Sequence, residues 1–406
     1  MNARKLKRGS VLLLILIIVL FMMVIGVGVL ALSFHGRMAS VRAGSEIAAR
    51  CAADAAVGHA IYRLNQKIKI KPWDESTLDD ISALNMELPN CDAAYDYSVS
   101  NIGGNYVINT TGRAGNSTRN IEAVLRIQSV FDYALFAKDL LELKNSAFIT
   151  WVNNQPDDWP MQIGTNSINP GAITLMSTTT INGDVLVGVG GDPNSVIDAK
   201  SGVTVTGTQH AMFSKVVFPS VTVPDSLLIA KSEGTLNVPN PKDTRTISIS
   251  AKYDKIDLRN GKSLIIDEPV TLYITGDVNL GSKSSIVISN TDPDHDASLT
   301  IYVGGNFTSN TDSQINNETA DARRFTLYGL DSCPSVTIRN GCNFYGAIYA
   351  PNAFIDVDNS GNIYGSVIGK EVILRNSGSF NYDTNLRDRT VNDDAVRFAV
   401  KRWGEE

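Results

Sequence analysis

A chain of 406 residues carries enough material for several cores, and its 36 basic against 42 acidic residues leave a net charge of −6. That acidic balance argues against a nucleic-acid partner, which would call for a basic face. The four cysteines include no CxxC pair, which disfavours a structural zinc site.

Taken in chain order, residues 10–34 contain no charged side chain, and Arg4, Lys5, Lys7 and Arg8 stand just before them. The 24 residues from 11 to 34 span roughly 36 Å as a helix, more than the ~30 Å hydrocarbon core of a bilayer. The short basic flank predicts a cytoplasmic N-terminus and a body outside the membrane. Beyond it, Ile47, Cys51, Ala55, Gly58, Ile61 or Tyr62, Leu64 and Ile68 recur at three- and four-residue spacing, an amphipathic stripe. One continuous helix over about 10–69 is expected, ending at or before Lys71 because Pro72 disfavours a helical predecessor. A cleaved secretory signal, with Ala31-Leu32-Ser33 as its site, is the obvious rival. Its apolar core usually runs about 7–15 residues, shorter than this one. An ordinary single-pass anchor is the other rival.

The stretch Lys5-Leu6-Lys7-Arg8-Gly9-Ser10-Val11-Leu12-Leu13 resembles the N-terminus of PilX-like type IV pilus assembly proteins. The resemblance implies that a prepilin peptidase cuts between Gly9 and Ser10 and leaves the apolar helix on the mature protein. Leu14 stands where major pilins usually carry glutamate. In this the chain is similar to PilX-like proteins and to the K-type minor pseudopilin, which implies a minor component. Residues 45–56 resemble the Ala-rich helix continuation of the same family.

Residues 72–130 read as a small α+β head. A short helix is expected within 74–88, followed by alternating strands at 95–99, 106–109 and 121–127. Gly-containing turns at 101–105 and 112–116 link these strands as hairpins. Three antiparallel strands packed on the amphipathic helix suffice for a core, and this is also the usual head plan of pilins.

The remainder repeats. Residues 271–286 align without a gap on 300–315, and Asn343-Phe344-Tyr345-Gly346 recurs as Asn362-Ile363-Tyr364-Gly365, then weakly as Asn381-Tyr382. Turn signatures recur in step at Ile338-Arg339-Asn340-Gly341, at 357–361 and at 374–378, with Leu258-Arg259-Asn260-Gly261 as an earlier copy. Short β-branched runs at a period near 20 indicate a solenoid, so residues 135–385 are expected to form a parallel β-helix. The fold class is then mainly β: a long N-terminal helix, a small antiparallel sheet and a parallel β-helix. Residues 209–244, with four prolines, should leave the coil as an excursion. Residues 289–296 and 316–324 read as polar insertions, and 386–406 as a polar C-terminal tail. Residues 346–353 through 379–383 resemble an uncharacterised β-helix-like domain found behind PilX-like N-termini, which implies an architecture and no activity.

Candidate chemistry is sparse. His35, His59, His210 and His295 are scattered, and the Gly-rich stretch 187–192 lacks both GK[ST] and GxGxxG, so it reads as a turn. Asp292, Asp294 and Asp296 form a weak Ca²⁺ candidate or a solvated acidic loop. Asp356, Asp358 and Arg375, from neighbouring coils, suit either sugar chemistry or ordinary ion pairs. Tyrosine rungs, Tyr273 with Tyr302 and Tyr345 with Tyr364, suit sugar stacking or plain packing. Cys333 and Cys342 flank a short strand and either bridge or do not; a bridge would contribute about 3 kcal/mol. Cys51 is a more distant partner for Cys91.

These readings lead to one expectation. The chain is a non-enzymatic, cofactor-free, minor-pilin-like protein of the bacterial inner membrane, with other pilins, pseudopilins and the prepilin peptidase as partners. It presents a β-helix outside the membrane for adhesion or tip structure. The alternative is a single-pass surface protein whose β-helix binds or degrades polysaccharide.

Overall fold

An apolar run without proline, followed by an Ala-rich stretch, gives α1, Gly9–Lys69, in the computed structural model. The structure describes residues 9–70, 73–144, 146–153, 159–289, 296–316, 318–358, 360–375, 379–387 and 396–405. The fold is mainly β: one long helix, an antiparallel sheet and a large parallel sheet. The chain divides into two compact units, Met1–Arg126 with Phe398–Glu406, and Ile127–Arg397.

In the first unit, Leu12–Lys69 is long and apolar enough to cross a membrane, and residues 12–44 are exposed throughout. Burial starts at Ala49 and continues through Ala52, Ala53, Ala56, Val57, Ala60, Leu64 and Ile68. The expected stripe is therefore corrected over most of its length: Ile47, Cys51, Gly58 and Tyr62 are exposed, Ala55 and Ile61 are half-buried, and only Leu64 and Ile68 are buried as expected. The sheet selects the alanine face because it approaches the helix closely. At Gly112 a Cβ would overlap the Ala49 carbonyl oxygen and stand 2.5 Å from the Ala53 nitrogen.

The antiparallel sheet contains β1 (Ser82–Glu87), β2 (Ala93–Ile102), β3 (Asn105–Ala114), β4 (Ser117–Gln128) and the C-terminal strand Arg397–Glu405, in that order. Both expected hairpins form, in the registers Asn101↔Tyr106 and Ala114↔Ser117. Two expectations fail here. The short helix within 74–88 is only a 3-10 turn, Glu75–Thr77, followed by edge strand β1. A bulge in β1 carries Asn85 at φ +53°, and its N–H donates to Asp96 Oδ1 at 2.6 Å. The second failure is the polar tail, which returns as the fifth strand. Phe398 is buried edge-on to Tyr106 at 4.9 Å, its N–H donates to Asn65 Oδ1, and Arg402 pairs with Glu122. Only two residues of that strand are buried, so its apolar signal is faint.

In the second unit, the repeats seen in sequence are lateral partners. Thr271↔Thr300, Val278↔Phe307 and Ile286↔Ile315 all pair in parallel at one offset, and Phe344↔Ile363 and Tyr345↔Tyr364 at the shorter one. Leu258 and Ile338 lie on one ladder, through Leu280 and Ser309, and Gly261 and Gly341 both turn at positive φ. The weak third copy is out of step, because Tyr364 pairs with Asn381 and Tyr382 pairs with Trp151. Three such ladders run side by side, with inward Leu272, Ile301, Leu327 and Ile348 fully buried along one of them. Full burial of each such side chain is worth about 1.5–3 kcal/mol.

Coils do not follow one another in space as they do in the chain. Strand β5 (Leu135–Leu143) pairs on one edge with Gln162–Thr165 and Ile173–Leu175, the next coil. On its other edge it pairs with Ile363–Arg375, from the far end of the unit. Strand β6 (Phe148–Val152) lies likewise between Thr180–Ile181 and Ser379–Asp383. The chain thus enters mid-stack and climbs to one end at Gln209–Ala211. It then restarts at the opposite end with Thr235–Leu236 and coils back to meet β5 and β6.

The excursion joining the two ends is narrower than expected, residues 212–234, because both flanking strands belong to the coils. It is strapped across one face of the stack. Asn166 accepts from Val216 N–H at 3.0 Å and donates to Val216 O at 2.7 Å; Tyr349 Oη donates to Pro219 O, and Lys252 Nζ to Leu228 O. Met212 and Val216 pack on Phe136, Leu186, Ile368 and Tyr349 beneath them.

Candidate functional site

The residues singled out in sequence do not converge. Gly9 and Ser10 open α1, while the basic residues 4–8 lie outside the described residues. Asp292, Asp294 and His295 lie outside them too. Asp296 is exposed and spends its charge on Arg324 at 2.8 Å. Among the described residues no group of three or more His, Cys, Asp or Glu is arranged to hold a metal ion.

Cys333 and Cys342 are free thiols, as are Cys51 and Cys91. Strand Ser335–Ile338 stands between the first two, and extended backbone advances about 3.3 Å per residue. The two cysteines therefore sit at opposite corners of one coil, beyond the Cα separation of about 4.4–6.8 Å that a disulfide tolerates. Cys342 Sγ lies 3.1 Å from Ser309 Oγ, and burial pushes the Cys333 thiol up to about 11.

Arg375 Nε donates to Asp356 Oδ1 at 2.6 Å, and Asp358 is the lateral partner of Arg375 on the next coil. These charges neutralise one another on an outer face. The tyrosine rungs are likewise engaged. Tyr345 and Tyr364 stack at 4.4 Å with an interplanar angle of 1°, Tyr302 and Tyr328 at 5.3 Å and 18°, and Lys252 Nζ lies 5.3 Å from the Tyr273 ring centroid. Under the strap, Tyr302, Tyr328 and Tyr349 line a cavity of about 80 Å³, room for water and far below the roughly 300 Å³ at which ligand pockets begin. Burial holds the Tyr349 hydroxyl well above the ordinary phenol range.

His59 lies in the helix–sheet interface, Nδ1 3.1 Å from Tyr95 Oη and its ring edge-on to Tyr97. His210 Nδ1 stands 3.1 Å from Thr208 Oγ1. The stretch 187–192 is a turn, where a Cβ on Gly188 would strike the Asn166 carbonyl, and Asp192 caps the following helical turn. Two aspartates not singled out in the sequence serve the corners. Asp184 accepts from Thr208 N–H and Oγ1–H, and Asp277 from Asn306 N–H in the corresponding corner.

What the structure does expose is the helix surface. Residues 12–44 present Leu, Ile, Val, Phe and Met on every side, and among the described residues all of them stay exposed. Where this rod nears the head, an open groove of about 480 Å³ runs between α1 and the β3–β4 turn. Phe34, Met38 and Val41 line it, with Arg37, Arg42 and Asn116 as its polar walls. Sequence reasoning missed this groove, because the contact of Gly115 with Ser45 that closes it is tertiary.

Residues 231–389 match the family described as a domain of unknown function, DUF7305. The matched span coincides with the second half-stack, from just before Thr235–Leu236 to just past Thr384–Arg387. No curated protein matches the chain. Among solved structures it is similar to the competence-associated pilin ComZ from Thermus thermophilus. That match has 14% identity and covers 89% of this chain and 98% of that one, with a TM-score of 0.25. A score that low bears on neither fold nor function.

Proposed function

We propose that the chain is a membrane-anchored structural protein of pilin type, a minor component of a type IV pilus or secretion pseudopilus. One observation carries the reading: a single unbroken helix leaves its first half bare and apolar and mounts an antiparallel sheet on the alanine face of its second half. A bare rod of this kind is costly in water and stable in lipid or against like helices. Small residues at the contact let the helix and the sheet approach closely. Read this way, the basic flank at 4–8 lies in the cytoplasm and the body beyond the inner membrane. In this reading prepilin peptidase cuts between Gly9 and Ser10, the helix joins other pilins, and the parallel stack is carried outward as an adhesive or tip element without catalysis. The polysaccharide reading has no observation of its own, since the tyrosine rungs stack on one another as ordinary lateral neighbours do.

The test is N-terminal mass spectrometry of membrane-extracted protein, with and without active prepilin peptidase. A peptidase-dependent start at Ser10 supports the proposal. Retention of Met1 through Gly9 makes the chain a plain anchor, and a start near Phe34 makes it a secreted protein.

A further inference from the structure

Resting on the anchored reading above, we propose that the groove at the neck of α1 docks an anionic phospholipid, its phosphate held by Arg37 and Arg42. Four arginines of the head are paired with carboxylates: Arg113 with Asp96, Arg402 with Glu122, Arg50 with Glu405, and Arg119 with Glu46 and Glu405. Among the described residues Arg63, about seven turns nearer the C-terminus of α1 than Arg37, is not. Arg37 and Arg42 differ. Both are exposed, and among the described residues neither forms an ion pair. No acidic residue occurs in the chain before Glu46, and Glu46 is engaged by Arg119.

Their heights on the helix bracket the outer edge of a headgroup layer. If Phe34 ends the hydrocarbon span, Arg37 stands about 4.5 Å and Arg42 about 12 Å above it. The polar layer is roughly 5–7 Å thick on each side. Arg42 stands about 7.5 Å farther along the axis than Arg37, and its long, flexible stem can lie along the apolar floor while its charged end turns back toward the membrane. Planar guanidinium forks suit phosphate oxygens. Between them the floor is apolar, Phe34 and Met38 at the membrane side and Val41 above, while Asn116 supplies an amide at the top. Apolar below and cationic above is the polarity of a phospholipid entering with its acyl chains still in the bilayer, and free phosphate would use only the upper part.

The test takes the full-length chain in nanodiscs made from equal parts of phosphatidylglycerol and phosphatidylcholine, with native mass spectrometry reading the lipids retained. A cation near an anionic surface is worth about fivefold, so the pair predicts a preference for phosphatidylglycerol of roughly thirtyfold. The double variant Arg37→Gln/Arg42→Gln is expected to lose it, while Arg50→Gln keeps it and inorganic phosphate does not displace the lipid. Carbonate extraction runs in parallel as the readout of insertion. An inserted chain that retains both lipids equally, or a double variant with unchanged preference, overturns the lipid site alone. Displacement by inorganic phosphate overturns the lipid as the ligand, and a second copy of the chain held there in place of lipid does the same. A chain released by carbonate overturns the anchored reading and this one with it.

Discussion

Replacing Gly112 by alanine tests how the head is held on its helix. The new methyl would overlap the Ala49 carbonyl oxygen and lie 2.5 Å from the Ala53 nitrogen, both of them backbone atoms that no rotamer change can clear. Restoring an ordinary 3.4 Å contact needs a retreat of roughly 1–1.5 Å between helix and sheet. A gap of that size forfeits about half or more of each dispersion well along the buried stripe Ala49, Ala52, Ala53, Ala56 and Ala60. Overpacking of this kind costs about 2–3 kcal/mol. Amide hydrogen exchange on the full chain in detergent should then speed up about 30- to 150-fold in β2 and β3, as their opening free energy falls by that amount. Gly58→Ala is the control. It sits on the same helix with nothing within 4 Å of its Cβ, and should be neutral or stabilising by up to about 1 kcal/mol. Unchanged protection in Gly112→Ala, or equal effects at both positions, would refute the close-packing account.

Other outcomes are equally definite. In native protein at pH 8, iodoacetamide should label the exposed Cys51 and Cys91, while the buried Cys333, with its thiol pushed up to about 11, has only about one thousandth of its sulfur as thiolate and stays unlabelled over the same time. Four labels should appear only after denaturation, and an intact mass short by two hydrogens would show a disulfide instead. Asn166→Ala removes both hydrogen bonds to Val216, about 2 kcal/mol, so tryptic cleavage after Lys215 should rise about thirtyfold; an unchanged rate means the strap is held elsewhere. Burial raises the Asp321 carboxyl, but hydrogen bonds from the Arg323 side chain and backbone, with the charges of Arg323 and Arg324, outweigh that and leave it below the usual range. A depressed carboxylate stabilises fully above its unfolded value near 4 and loses that contribution as pH falls through its folded value. Asp321→Asn should therefore flatten the acid limb of the stability profile below about pH 4, read by denaturant midpoint, and leave its pH dependence above about pH 5 unchanged.

Much of the architecture was legible because each signal was local. The charge-free run before Phe34 and the absence of proline dictate a long helix, and the gapless match of 271–286 with 300–315 dictates lateral pairing at that offset. What was missed depended on partners. The helix buries alanines rather than Ile47, since a close-approaching sheet at Gly112 favours small side chains over hydrophobic ones. Strand Arg397–Glu405 carries Phe398 and Ala399 among charges, a pattern indistinguishable from a tail until β4 provides an edge. The coil order was hidden for a different reason. Inward Leu, Ile and Val are interchangeable from rung to rung, so nothing in Leu135 or Leu141 marks Val367 and Val372 as their neighbours. Of the candidate chemistry, Asp356 with Arg375 was readable as an ion pair, whereas the neck groove needs the turn at Gly115 brought against Ser45.

The interleaved coil order has a consequence for how the molecule is completed. A chain emerging N-terminus first finishes residues 135–211 while one edge of β5 and β6 is still unpaired. The strands that close that edge, Ile363–Arg375 and Ser379–Asp383, arrive some 230 residues later. At about 5–20 residues per second that is a wait on the order of ten to forty seconds, with an open strand edge available to any other chain. The head sheet waits longer still, for Arg397–Glu405. A truncation removing residues 363–405 would therefore not shorten the stack at a free end. It would leave a gap at its middle and strip an outer strand from the head in the same stroke.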